Sequence, residues 1–226
     1  VQGQFDMSET NEVSALELAA LMCSRVCHDI ISPVGAITNG LEVLADDDDP
    51  EMKDHAMELI TKSATQASAK LQFARICFGA GGSAGAELDL QDAKAVAEGL
   101  MASERPTLSW DAPAATLGKD YVKLLLNMML IGAAAIPRGG EVAVKVENGT
   151  ATPTITVRST GTAARVPEET QKFLGGLPEE GTLDARSVQP YFTGLVARSL
   201  GLSISARMDG EAFVIEAGFV DGGSGV

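Results

Sequence analysis

One pattern constrains the first third of this 226-residue chain more than any other. Leu16, Ala20, Cys23, Cys27, Ile30, Val34, Ile37, Leu41 and Leu44 recur at alternating spacings of four and three residues. A heptad seam sustained in this way specifies a long helix that buries one narrow stripe against another helix. The run stops at Asp46-Asp47-Asp48-Asp49-Pro50, where like charges and a proline favour a turn, with Asp49 as N-cap and Pro50 in the first helical position. A second helix is predicted over 51–78, with Ala56, Ile60, Ala64, Ala67, Leu71, Ala74 and Phe78 on one face. The two segments form an antiparallel helical hairpin. Two helices leave much of the seam in water, and a second copy of the chain is the simplest cover, giving a four-helix bundle across a homodimer.

Glycine-rich residues 80–86 lack the side chains that hold a helix or strand and read as a linker. Beyond them the pattern predicts helices over 90–104, 119–136, 167–174 and 188–200, and strands over 107–111, 141–147, 154–159, 203–208 and 212–219. Pro137-Arg138-Gly139-Gly140, Asn148-Gly149 and Asp209-Gly210 mark turns, the last two being strong hairpin dipeptides. Strands joined by hairpins, with helices between the hairpins, imply helices layered on one face of a mixed sheet. The fold class is therefore α+β: a helical hairpin over 7–79 followed by an α/β sandwich over 87–226. Residues 1–6 read as a cloning remnant ahead of a natural start at Met7.

The net charge of −14 leaves no positive field with which to grip nucleic acid or an anionic membrane, while a 45% hydrophobic content excludes a disordered acidic tail. The most apolar run, 124–136, is broken by Asn127 and is shorter than the ~20 residues a membrane span needs. Cys23, Cys27 and Cys77 are too few, and odd in number, for a disulfide framework, which points to the reducing cytoplasm. Cys23 and Cys27 occupy seam positions and read as small buried apolar residues, not metal ligands; His55 reads as a surface residue.

The chemistry centres on His28. With Cys27 in the seam, His28 is rotated onto the solvent side of the helix, beside Leu21, Ser24 and Arg25 within the two turns before and Ser32 and Gly35 within the two turns after. The small residues Ser32 and Gly35 would let a partner's backbone come close. Asp29 can hold the proton on one ring nitrogen while the other attacks, so it is the candidate that orients the imidazole. Pro33 removes one helical hydrogen bond just beyond the pair and should bend the helix there.

His28-Asp29-Ile30-Ile31-Ser32-Pro33-Val34 resembles the H-box of two-component sensor histidine kinases: a phosphoacceptor histidine, an adjacent acid and a proline five positions on. The hairpin is similar to that family's dimerisation and phosphotransfer domain. The elements after residue 87 resemble its ATP-binding domain, and 124–146 looks like the helix, turn and strand of the N-box. The ligands of that domain are missing, however. Ile131 stands where the resemblance places a magnesium-binding asparagine, and Ser159 where it places an adenine-reading aspartate; the glycine loops keep one glycine each, Gly161 and Gly194. Retaining the histidine without a phosphate cradle resembles the dimeric histidine phosphotransferases of alphaproteobacterial cell-cycle phosphorelays. That resemblance implies phosphoryl relay between receiver-domain aspartates through His28, from a CckA-like hybrid kinase to CtrA-like and CpdR-like response regulators. It implies no cofactor on this chain, since magnesium belongs to the receiver. Arg25 would steady phosphoryl charge or pair with a receiver, and Arg165, in the former nucleotide lid, would touch the receiver from the second domain. An active histidine kinase shares the hairpin, and a non-catalytic dimeric scaffold shares everything but the need for His28.

Overall fold

The computed structural model describes residues 13–46, 49–79, 86–149, 152–178 and 182–219, so the readings of 1–6 as a remnant and of 80–85 as linker lie outside the described residues. Helix α1 (Ala15–Asp46) continues through Pro33, whose ring is buried. Helix α2 (Pro50–Cys77) begins as its sequence dictates: the Asp49 carboxylate accepts the Glu51 N–H at 3.0 Å, and Pro50 needs no donor in the first turn. The two helices approach closely at Gly40, where a Cβ would stand 2.6 Å from Ile60 Cγ1 and 3.2 Å from the Ala56 carbonyl oxygen.

The heptad stripe divides between two surroundings. Ile30, Ile37 and Leu44 are half-buried, whereas Leu16, Ala20, Cys23, Cys27, Val34 and Leu41 are exposed, Leu16 at 82%. Cys23 and Cys27 are thus not buried within the single chain, contrary to the sequence expectation. The cause is geometric: from Cys27 onward the half-buried positions (Ile30, Ile37, Leu44) and the exposed ones (Cys27, Val34, Leu41) form the two edges of the stripe, and only one edge meets α2. Ile31, also outside that contact, is 71% exposed, and Met52, Met57, Leu59 and Leu71 extend the uncovered apolar surface along α2.

The C-terminal part runs β1 (Glu87–Asp89), α3 (Leu90–Met101), β2 (Thr107–Asp111), β3 (Thr116–Gly118), α4 (Lys119–Ala135), β4 (Glu141–Glu147), β5 (Thr154–Thr160), α5 (Glu168–Phe173), α6 (Val188–Ser199), β6 (Ser203–Asp209) and β7 (Ala212–Gly218). The main sheet has the order β2-β4-β5-β7-β6, with β2 parallel to β4 and every other pair antiparallel. Val142, Val144 and Val146 on β4, Ile155 and Val157 on β5, and Phe213, Ile215 and Ala217 on β7 turn toward the helices. Between them stand Lys145, Arg158 and Glu216 on the opposite face, where Arg158 pairs with Asp209 at 2.6 Å. This alternation is the signature of a sheet covered on one side. Strands β1 and β3 form a separate antiparallel pair that the sequence did not predict, because three residues carry too little periodicity.

The hairpin shares the C-terminal core. Phe73 and Cys77, at the end of α2, are buried in the same apolar cluster as Leu124, Met128, Leu90 and Val196, and burial pushes the Cys77 thiol well above its ordinary pKa. Asn127, fully buried on α4, ties the two parts together: its amide donates to the carbonyls of Cys77 and Lys123, each at 2.9 Å. Gln189 of α6 donates in turn to the Asn127 backbone oxygen at 3.0 Å and to its Oδ1 at 3.3 Å. Just before α6, Asp184 Oδ1 accepts the backbone N–H of Arg186, the backbone N–H of Ser187 and the Ser187 hydroxyl, each at 2.8 Å. These donors, those of Ser187 foremost, hold the Asp184 carboxyl below the ordinary carboxylate range.

Two predictions follow from these polar contacts. Asn127→Ala strands the Cys77 carbonyl and removes one acceptor of the Gln189 amide, which keeps the backbone oxygen of residue 127 and the Thr193 hydroxyl, and should lower stability by about 1–3 kcal/mol in urea unfolding. For Asp184, a depressed folded pKa means that its contribution is present above the unfolded value of about 3.9 and is lost as pH falls through the folded value. Asp184→Ala should therefore be less stable than the parent at pH 7, and the gap between the two should shrink in unfolding series taken below about pH 4.

Candidate active site

His28 lies in the middle of α1, on a turn shared with Arg25, Asp29 and Ser32. Its side chain is 71% exposed, as the heptad phase requires. The adjacent carboxylate is divided between two donors: Asp29 Oδ1 lies 3.4 Å from His28 Nδ1, and Asp29 Oδ2 accepts the Arg25 Nε–H at 3.0 Å. A proton on Nδ1 satisfies Asp29 and leaves the Nε2 lone pair directed at solvent; among the described residues nothing bonds Nε2. The site can thus present a neutral imidazole in a chosen tautomer to an incoming electrophile.

Arg25 is only 25% exposed, being drawn into the junction between the two parts of the molecule. Its Nη1 donates to the Ala185 carbonyl at 3.5 Å, in the turn that Asp184 caps. It also borders a cavity of about 400 Å³ lined by Met101, Glu104, Arg105, Leu130 and Pro137, at the C-terminal ends of α3 and α4. Ser32 and Gly35 continue the His28 face one and two turns on; both are exposed, and a Cβ on Gly35 would meet nothing within 4 Å. Arg165 is exposed on the segment between β5 and α5, where its backbone N–H donates to the Ala135 carbonyl at 3.1 Å. No hydrogen bond or ion pair among the described residues joins Arg165 to the His28 group.

The acidic hairpin turn leaves this site largely untouched. Asp46 is 18 residues along the same helix, ~27 Å away, and the Debye length at physiological salt is ~8 Å.

The positions that the kinase resemblance assigns to nucleotide and cation are core. Ile131 is 1% exposed and Ser159 is fully buried. Helix α4 lies so close to β5 that a Cβ on Gly132 would stand 2.7 Å from Ser159 Oγ and 2.8 Å from Val157 Cγ1. Neither residue supplies a carboxylate or amide to a nucleotide or its cation. The segment corresponding to the last glycine loop is wound into α6, with Gln189, Thr193 and Gly194 buried. Among the described residues no group of three or more His, Cys, Asp or Glu side chains gathers to hold a metal ion, and no helix is long and apolar enough to cross a membrane.

Sequence reasoning missed Asn127, Gln189 and the Ala185 carbonyl. Asn127 was visible only as the residue that breaks the longest apolar run, and a lone amide inside an apolar helix is the signal of a buried hydrogen-bonding role. The Ala185 carbonyl belongs to the backbone and leaves no mark on the side-chain pattern.

Comparison with known proteins agrees with this architecture. The protein phosphotransferase ChpT of Brucella abortus (strain 2308) is 48% identical over 215 residues, which cover 93% of this chain and 100% of ChpT. A solved structure of a bacterial phosphotransferase superposes with a TM-score of 0.83 at 46% identity, covering 91% of this chain and 97% of that one. The family model for the histidine phosphotransferase C-terminal domain matches residues 90–212, a span that runs from α3 through β6 and excludes the hairpin. With that match across more than half of its length and a full-length relative at 48% identity, the chain belongs to the histidine phosphotransferase family.

Proposed function

We propose that the chain relays phosphoryl groups between receiver-domain aspartates through a phosphohistidine formed at His28. The observation that carries the reading is the divided carboxylate of Asp29, which faces His28 Nδ1 and leaves Nε2 outward on an exposed side chain. In the forward step the Nε2 lone pair attacks the phosphorus of a receiver's aspartyl phosphate. The bond from phosphorus to the aspartate oxygen breaks, and the electron pair returns to the receiver as a carboxylate. The Nδ1 proton stays on the ring, and Asp29 offsets the positive charge that the ring gains. Magnesium is the receiver's, held in its acidic pocket, and the loose transition state asks this chain mainly for alignment. The reverse step delivers the group to a second receiver.

The donor under this reading is the receiver of a CckA-like hybrid kinase, and the acceptors are CtrA-like and CpdR-like regulators, all in the cytoplasm. Ser32 and Gly35 offer a small, open surface on which a receiver's backbone can rest. Arg165 supplies a contact from the second domain. The working unit is a homodimer, in which the exposed residues of the heptad stripe and the uncovered apolar residues of α2 meet their copies in a four-helix bundle. The buried positions of Ile131 and Ser159 speak against ATP-dependent autophosphorylation.

Incubation with a receiver carrying labelled phosphate should give acid-labile label on this chain, and none with ATP alone. His28→Ala should abolish the label. Label from ATP alone would restore a kinase, and no label from any cognate receiver would favour a scaffold. Val34→Asp places a charge in the uncovered stripe and should halve the mass measured by light scattering; an unchanged mass would remove the bundle.

A further inference from the structure

We infer that Arg25 is a positioning residue that makes the tautomer of His28 depend on the docking of the C-terminal domain against the hairpin. This rests on the reading of His28 as phosphoacceptor, although its own test does not. The links run in one direction across the molecule. Asp184 fixes the turn before α6 through three hydrogen bonds, each 2.8 Å. That turn presents the Ala185 carbonyl to Arg25 Nη1 at 3.5 Å, the longest link in the series. The same guanidinium holds Asp29 Oδ2 through Nε at 3.0 Å, which leaves Oδ1 facing His28 Nδ1 at 3.4 Å.

Three features make this more than a surface ion pair. First, the contact between Asp29 and His28 is too long to fix a half-buried carboxylate by itself, so the stronger bond from Arg25 sets the rotamer of Asp29. Second, Arg25 is only 25% exposed and is engaged at both ends of its fork, one toward α1 and the other toward the domain 160 residues away in sequence. Third, the planar guanidinium offers divergent N–H groups that a lysine ammonium cannot place in both directions at once. The adjoining cavity, bordered by Arg25 and by the ends of α3 and α4, gives a bound partner access to the same guanidinium. A group of the partner that reached this cavity would act on Asp29 through Arg25, in addition to the direct approach of the receiver to the imidazole.

The decisive measurement is the long-range proton–nitrogen spectrum of the neutral His28 ring in the full chain, assigned by loss of its signals in His28→Ala. The parent should show Nδ1–H as the major tautomer. Arg25→Ala should move His28 toward the Nε2–H form that free imidazole prefers, while His55 stays unchanged. Its rate of phosphoryl uptake from a receiver should fall about 10- to 100-fold, the scale seen when a group that orients a reactive histidine is removed. Arg25→Lys, which keeps the charge but loses the bridge to Ala185, should fall between the two in both readouts. Asp184→Ala, remote from the ring, should shift the tautomer in the same direction. An Arg25→Ala protein with the parent's melting curve and an unaltered tautomer ratio would overturn the inference, as would equal effects on His28 and His55. Label persisting in His28→Ala would instead overturn the phosphoacceptor reading, leaving the tautomer result to be judged separately.

Discussion

The rest of the structure depends on one buried amide. Asn127 sits in the most apolar helix of the chain, where an unsatisfied polar group would be costly, and it answers a carbonyl of α2 that has run out of helical partners. The last carbonyls of any helix need donors from elsewhere, and here the donor comes from a different layer of the molecule. That contact, with Phe73 and Cys77 pressed into the C-terminal core around it, fixes how the hairpin stands on the sheet domain. Only with that orientation set does α1 lie where Arg25 meets the turn before α6. The site on the solvent face of α1 therefore depends on packing that involves the other helix of the hairpin.

A similar economy governs the C-terminal part. Its sheet has the order and mixed direction expected of a domain with helices on one face, and the space between α4 and β5 is closed by side chains in direct contact. Ile131 and Ser159 belong to that closure. What this domain contributes to the candidate site is a backbone carbonyl and a cavity wall, both at its surface toward α1.

Much of this was legible in the residues. The N-cap of α2, the β4 boundaries, the Asn148 and Gly210 turns with their positive φ values, and the exposure of His28 all follow from local chemistry or from helical phase. Local signals of this kind survive folding because no distant partner competes with them. What was not legible depends on distant partners. Cys23 and Cys27 read as buried because a heptad pattern marks an apolar stripe without saying which edge of it a given neighbour covers. Phe73 fell outside the predicted α2 face because its partners are in the sheet domain, not in α1. The ties of Arg25 to Asp29 and to Ala185 differ in the same way: the first has the i, i+4 spacing that a sequence displays, and the second joins positions that only tertiary packing brings together.

The shared core at the end of α2 also bears on modularity. The chain divides naturally, by composition, at its glycine-rich stretch, yet the cohesive unit does not divide there: Phe73 and Cys77 are covalently part of the hairpin and energetically part of the sheet domain. Graft the hairpin elsewhere and it carries away two plugs of another domain's interior, with a carbonyl that has lost its amide. A lineage that recombines such pieces must move the α4 surface along with the hairpin, so the heritable module is the interface, not either of the segments it joins.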